Sequence, residues 1–340
     1  MALNFNANQT SARIQTPDAL RGLAALAVCW FHMTHGGKLL PAGYLAEWSS
    51  LGHLGVAVFF VISGFVIPWS LRNETAGLGN FGRFLGKRMV RLHPPFVAAC
   101  LVAIVLNWLS MKAPSYQGTL PEPYLPIAFA SLARDSFYLT GFLGQGWIIV
   151  VAWTLAIEVQ FYLLAGLLAP ALSPERRPWM LFGILMLACV VPWIITTPVL
   201  VFYFLPLFVA GWGAAWLRMR PADARAWLAV LVALVTAGYR HGWQTALFAA
   251  VAFSVIQWLR GTPPCWLLSL GAISYSLYLI HVPLGGRMVN LGMRWAESSL
   301  AHLVLVIVAT AACLSAAWIF WRLIEWPCHA WSRKLFASEK

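Results

Sequence analysis

Charged residues are scarce in this 340-residue chain: they make up 10% of it, whereas 61% of its residues are hydrophobic. Soluble domains contain about 25% charged residues, and a water-soluble fold this apolar would expose large hydrophobic patches. The scarcity of charge therefore excludes an ordinary soluble domain and indicates that the lipid bilayer is the solvent of this chain.

Acidic residues are the rarest charged group, with 11 aspartates and glutamates against 23 lysines and arginines, and the net charge is +12. No polar segment is long enough to carry a basic surface, so the sequence excludes nucleic acid as a partner. Basic residues of a membrane protein collect in cytoplasmic loops and set its orientation.

Paired metal ligands are also missing. The six cysteines are scattered, mostly within apolar runs, and no CxxC pair occurs, so neither a zinc site nor a disulfide framework is indicated. The segment 77–82 matches a dinucleotide-binding glycine pattern, but no strand precedes it, and we reject that interpretation. We expect no resident metal or cofactor. The first apolar run lacks the small-residue cleavage site of a signal peptide.

What the chain has is a series of apolar runs, each near the roughly 20 residues that a helix needs to cross a bilayer. Because the runs are continuous rather than alternating, they predict helices and not a barrel. The sequence thus predicts an all-α polytopic protein with about ten transmembrane helices. The predicted spans are 18–36, 54–71, 92–111, 147–169, 178–196, 199–217, 225–239, 243–259, 265–284 and 300–322.

The mixed segment 112–146 is interpreted as an external loop with a surface helix; if 125–143 crosses instead, the count becomes eleven. With ten spans, 17 of the 23 basic residues fall on the side of the two chain ends and 6 on the other. This bias predicts that both termini are cytoplasmic. We see no linker and expect a single transmembrane domain over 1–340, with no appended soluble domain.

Polar residues within apolar spans are costly and often functional. In the first span, Asp18 and Arg21 are neighbours at i and i+3, and His32 lies on the face of Arg21, roughly 16 Å further along the axis. The alternatives are an interfacial arginine and a core histidine. Glu158 lies deep in the fourth span and has to be protonated, paired or next to water; pairing with His32 would satisfy both residues.

Two further segments contain polar groups at helical spacing. Arg88 and Arg91 share a face that leads to a proline break at Pro94, and two such cations suit a polyphosphate ligand, although they would also serve as topological anchors. Ser274, Tyr278 and His281 form a polar stripe in the ninth span, where helix–helix hydrogen bonding is the alternative. Glu325 is placed at a helix terminus near the cytoplasmic interface.

These segments together resemble the acyltransferase-3 family of integral-membrane acyltransferases. The resemblance rests on an ordered set of segments that spans nearly the whole chain: Asp18-Ala19-Leu20-Arg21-Gly22 with His32, Phe59 to Phe65, Arg88 and Arg91 before Pro94, Trp153 to Tyr162, Ser274 to Tyr278 with His281, and Glu325 with Pro327. The family's pattern of arginine, ten residues and histidine falls on Arg21 and His32. Some relatives have a C-terminal esterase-like domain, which we do not expect here.

The resemblance implies a membrane O-acyltransferase of a bacterial inner membrane that takes an acyl group from cytosolic acyl-CoA, its co-substrate. The acceptor implied is a hydroxyl of a surface or lipid-linked glycan, or of a small metabolite. His32 is the predicted general base, Glu158 its partner, and Arg21, Arg88 and Arg91 the donor site. Further candidates for lining the substrate path are Asp18, His35, Ser63, Trp153, Tyr278 and His281. A transporter or flippase, or a non-catalytic partner in a polysaccharide assembly complex, are the alternatives.

Overall fold

The computed structural model describes residues 14–112, 120–121, 123–170 and 172–336, and within these residues all regular structure is helical. The α-helices are α1 Thr16–Met33, α2 Tyr44–Ser50, α3 Gly55–Leu71, α4 Leu78–Met111, α5 Tyr124–Ser136, α6 Trp153–Leu168, α7 Pro178–Val190, α8 Val201–Met219, α9 Ala224–His241, α10 Trp243–Trp258, α11 Cys265–Ala272, α12 Ser274–Ile280, α13 Gly286–Gly292, α14 Ser299–Phe320 and α15 Trp326–Leu335. The all-α prediction is confirmed for this part of the chain.

Five of the described helical segments are long and apolar enough to cross a membrane. The bent pair formed by Cys265–Ala272 and Ser274–Gly292 makes a sixth if it counts as one span. All ten predicted spans fall on helices, but α7 and α10 are short. Polar residues lower the hydropathy of α1, which contains Asp18 and Arg21, and of α9, which contains Arg225 and Arg240. The chain is therefore an integral membrane protein, and within its described residues five segments, or six with the bent pair, meet the length and composition of a membrane span.

Helices α3 and α8 pack most closely in the centre of the bundle, and two glycines make this approach possible. A Cβ atom added at Gly64 would overlap the backbone of Phe208, and one added at Gly211 would overlap the carbonyl oxygen of Val61. Small residues let transmembrane helices meet backbone to backbone. Glycines allow the same kind of backbone contact between α1 and α11, where Gly22 faces Gly271. These contacts fix the helices that bear the polar residues.

We expect Gly211→Ala to lower the free energy of unfolding by about 1–3 kcal/mol, because the added methyl group forces α3 and α8 apart. Gly183→Ala in α7 is the matched control, since nothing lies within 4 Å of its added Cβ and alanine favours the helix. Thermal unfolding of the purified variants in detergent measures both effects. Equal changes in the two variants would contradict the close-contact explanation.

Helix α4 does not end at the prolines. It continues through Pro94 and Pro95 for 34 residues, which corresponds to about 51 Å, so the expected proline break is wrong. Interior prolines are tolerated in membrane helices when neighbouring groups satisfy the disturbed backbone. The hydroxyl of Tyr275 donates to the carbonyl of Leu92 at 2.8 Å and so joins α12 to α4 just before the prolines. Arg88 and Arg91 therefore lie within one rigid helix.

The segment between α4 and α6 contains α5, which has 13 residues and is thus about 20 Å long, shorter than a bilayer core. Asp135 near its end accepts hydrogen bonds from the Thr140 hydroxyl and from the Ile148 amide at 2.9 Å. Burial raises the pKa of this carboxyl above its ordinary value, and these hydrogen bonds oppose the rise. The predicted locations of both chain ends fall on residues 1–13 and 337–340, outside the described residues.

Candidate active site

Helix α1 displays Arg21 and His32 on one face, as their spacing predicts. Both side chains are half-buried, and His32 lies in the last turn of the helix. Asp18, one turn before Arg21, interacts electrostatically with it. His35 lies beyond the helix, is exposed, and has a left-handed backbone with φ of 51°. The helix thus separates a cationic end from a histidine end by about 16 Å.

At the cationic end, the three arginines proposed for the donor come together from two helices, α1 and α4. Arg21 on α1 interacts electrostatically with Glu158 and Glu325. Arg91 on α4 interacts with Arg21, Arg88 and Glu325. The guanidinium of Arg88 lies 5.5 Å from the ring centroid of Tyr162 on α6. We call Arg21, Arg88 and Arg91 the arginine cluster.

Glu325 lies beside the arginine cluster and interacts electrostatically with Arg21 and Arg91. The sequence did not predict this position of Glu325. Glu325 is 2% exposed and lies in a π-helical turn, Trp321–Glu325, that links α14 to α15. One carboxylate oxygen accepts from the hydroxyl of Ser276 at 2.6 Å and from its amide at 3.2 Å. The carboxylate therefore fixes α12 against the last span. The sequence signal that could have indicated this site residue is a glutamate at the end of a long apolar run.

His329 links Glu325 to the arginine cluster. The Nε of Arg91 donates to Nε2 of His329 at 2.7 Å, and the same Nε2 lies 3.4 Å from Glu325. An imidazole nitrogen that accepts from arginine holds no proton, so it does not donate to Glu325 at the same time. Arg91 is therefore the donor in its hydrogen bond with His329.

Glu158 is held by partners other than the predicted one. Its Oε1 accepts from the hydroxyl of Ser63 at 2.7 Å and from the hydroxyl of Tyr162 at 2.6 Å. In the part of the chain that the structure describes, no hydrogen bond or ion pair joins Glu158 to His32. Their pairing stays a prediction, and any coupling between them acts through space.

The ring of His32 faces His281 on the π-helical turn His281–Gly285, and the two ring centroids are 5.1 Å apart. His281 is fully buried, and its Nδ1 lies 3.0 Å from the carbonyl oxygen of Leu277. Its Nε2 is buried without a hydrogen-bond partner. Tyr278, one turn earlier, shares a hydrogen bond of 2.7 Å with Thr154 and so connects α12 to α6.

Trp153 lines a separate cavity of about 330 Å³ beside α6, together with Tyr138, Phe204 and residues of two loops. The ring of Trp153 lies 5.6 Å from that of Phe204. Tyr138, which the sequence did not single out, has a left-handed backbone with φ of 57° and interacts electrostatically with Glu158. Tyr138 therefore connects this cavity to Glu158. The residues that line the cavity are almost entirely apolar.

Cys29, three residues before His32, is fully buried. Its thiol lies next to that of Cys313 on α14. This pairing favours a packing role for Cys29 over a nucleophile that carries the acyl group, in line with the expectation for a cysteine in an apolar span.

Comparison with known proteins gives a consistent result. A family model described as an acyltransferase domain, acyltransferase-3, matches residues 14–322. The chain is 25% identical to acyltransferase MdmB of Streptomyces mycarofaciens, over 93% of this chain and 92% of that protein. It is 27% identical to BcsY of Komagataeibacter xylinus, named as a membrane-bound transacylase, over 78% and 71%. It is 26% identical to O-acetyltransferase OatA of Staphylococcus aureus, over 47% and 25%. No solved structure matches.

Proposed function

Since the chain belongs to the acyltransferase-3 family and is a membrane O-acyltransferase, we propose that it moves an acyl group from cytosolic acyl-CoA to a hydroxyl of an extracytoplasmic acceptor. The acceptor class we propose is a surface or lipid-linked glycan. A small hydroxylated metabolite is the other acceptor that the same chemistry allows.

The observation that carries this proposal is the arrangement of charge along α1. The arginine cluster lies around Arg21, near the N-terminal end of α1. His32 lies about 16 Å further along the helix. Guanidinium groups bind phosphates through paired hydrogen bonds, so the cluster suits the phosphates of CoA. The slim acyl arm of the donor then extends between the helices toward His32.

In the reaction, His32 removes the proton of the acceptor hydroxyl as its oxygen attacks the thioester carbonyl carbon. The carbon–sulfur bond breaks, and CoA leaves as a thiolate that takes up the proton from the His32 imidazolium. The acyl group is then joined to the acceptor oxygen. Glu158, fixed by Ser63 and Tyr162, contributes negative charge that favours the imidazolium in a low-dielectric environment.

The direction of transfer depends on topology, for which we propose ten membrane helices with both chain ends in the cytoplasm. The support is the distribution of basic residues, 17 of 23 on the side of the chain ends, because short cytoplasmic loops collect lysine and arginine. We place the protein in the cell membrane of a bacterium, because the three relatives come from bacteria and the chain is an integral membrane protein.

The test is acyl transfer by the purified protein in liposomes, with isotope-labelled acyl-CoA supplied on one face. We expect thioester consumption that depends on an added hydroxyl acceptor. Mass spectrometry of surface glycans and lipids from cells with and without the protein should then show an acyl-sized mass difference on the acceptor. Movement of an acceptor across the membrane without acylation would instead identify a transporter and contradict the proposal.

A further inference from the structure

His281 has a buried ring nitrogen that nothing in the described structure satisfies. Its Nδ1 lies 3.0 Å from the Leu277 carbonyl oxygen, and a carbonyl can only accept, so Nδ1 holds the proton. A neutral imidazole has one donor and one acceptor nitrogen, which makes Nε2 an acceptor. This nitrogen is buried and has no hydrogen-bond partner, and leaving a buried polar atom unpaired is costly.

The ring of His32 lies beside that of His281, at a centroid separation of 5.1 Å and an interplanar angle of 50°. Two imidazoles joined by an N–H···N bond of about 2.9 Å have centroids about 5.1 Å apart, because each nitrogen lies about 1.1 Å from its ring centre. The two rings therefore already have the separation of a bonded pair. His32 is half-buried, and a rotation of its ring is the movement that closes the bond.

We propose that His281 is a positioning residue whose Nε2 accepts a hydrogen bond from the ring N–H of His32. This bond fixes the His32 tautomer in which the other nitrogen is unprotonated and directed to the acceptor hydroxyl. When His32 takes the hydroxyl proton, the bond to His281 becomes charge-assisted and stabilises the imidazolium. The inference rests on the proposed role of His32 as the base.

The surroundings of His281 suit a positioning role better than a catalytic one. Its ring is fully buried, so neither nitrogen is accessible to an acceptor. The thiol of Cys313 lies 3.8 Å from its carbonyl oxygen, and the ring of Tyr278 lies 5.9 Å away, so both backbone and side chain are fixed. Within the described residues, Glu158 accepts hydrogen bonds from Ser63 and Tyr162 and none from His32.

The test compares His281→Leu, which removes the acceptor, with His281→Gln, which retains a side-chain carbonyl oxygen. For His281→Leu we expect kcat to fall about 10- to 100-fold, the effect of losing one hydrogen bond to a charged group, with KM for acyl-CoA nearly unchanged. His281→Gln should recover most of the rate. Cys313→Ala is the matched control, because it alters packing beside His281 and leaves the imidazole pair in place.

Two readouts separate positioning from packing. The acidic limb of the pH–rate profile should move to lower pH by about one unit in His281→Leu, because the His32 imidazolium loses a stabilising bond. The other titratable groups near the pair are His35, His53, Tyr278, Cys29 and Cys313. The His281→Leu substitution leaves all of these residues in place. Nitrogen-15 NMR of histidine-labelled protein should show one His32 tautomer in the wild type and a mixture in His281→Leu.

Wild-type kcat in His281→Leu, or equal losses in the leucine and glutamine variants, would overturn the inference. If His281→Leu does not fold, the glutamine variant and the wild-type NMR spectrum still decide, since two His32 tautomers in the wild type would also overturn it. Failure of the proposed function has a different signature: the wild-type protein would then transfer no acyl group from acyl-CoA, whatever the NMR spectrum shows. Normal acyl transfer by His32→Ala would contradict only the role of His32 as the base.

Discussion

Replacing His32 with alanine is expected to lower the rate of acyl transfer by about 100- to 10,000-fold, the usual cost of removing a general base. Donor binding should persist, because the arginine cluster lies at the other end of α1. The measurement is single-turnover acyl transfer, together with binding of a non-hydrolysable acyl-CoA analogue. His302→Ala is the matched control: this histidine is also half-buried, and it lies outside the site at the start of α14.

Glu158→Gln tests the electrostatic part of the same mechanism. The substitution preserves the shape of the side chain and removes its charge, so the rate should fall by an order similar to that of His32→Ala if the charge supports the imidazolium. Residues that act as a unit give non-additive losses, so the double variant should be little worse than either single one. Fully additive losses, or normal rates in folded His32→Ala, would defeat the mechanism.

Helix periodicity in the sequence was enough to predict which polar residues share a face. It predicted Arg21 and His32 on one side of α1, which is a single α-helix across both residues, and this prediction depends only on the local geometry of a helix. The predicted stripe of Ser274, Tyr278 and His281 runs instead into a π-helical turn that starts at His281. The all-helical class follows from the bilayer in a similar way, since lipid offers the backbone no hydrogen bonds.

Contacts between helices could not be predicted from the sequence, because periodicity says nothing about which helices are neighbours. The hydrogen bonds from Ser63 to Glu158 and from Ser276 to Glu325 join residues far apart in the chain. Glu325 was therefore interpreted as a helix end, and the hydrogen bonds of Glu158 to Ser63 and Tyr162 were not predicted. The continuity of α4 escaped prediction for a related reason: whether a proline pair breaks a helix depends on its tertiary surroundings.

The double substitution of Arg88 and Arg91 by alanine is expected to weaken acyl-CoA binding by about 100-fold or more, because each charge-assisted hydrogen bond to a phosphate contributes about 1.5–3 kcal/mol. High salt should weaken donor binding further, since it screens the contacts that remain. Arg83→Ala is the matched control, because Arg83 lies on the same helix, α4, and its side chain is exposed. Calorimetry with the non-hydrolysable analogue measures donor binding by the wild type, the double variant and Arg83→Ala.

Arg91→Lys separates charge from geometry. Lysine retains the charge but loses the planar fork that also reaches His329, so a protein with lysine at this position should bind acyl-CoA more tightly than the double variant but less tightly than the wild type. Unchanged donor affinity in a folded double variant would mean that these arginines only anchor the helix at the membrane surface.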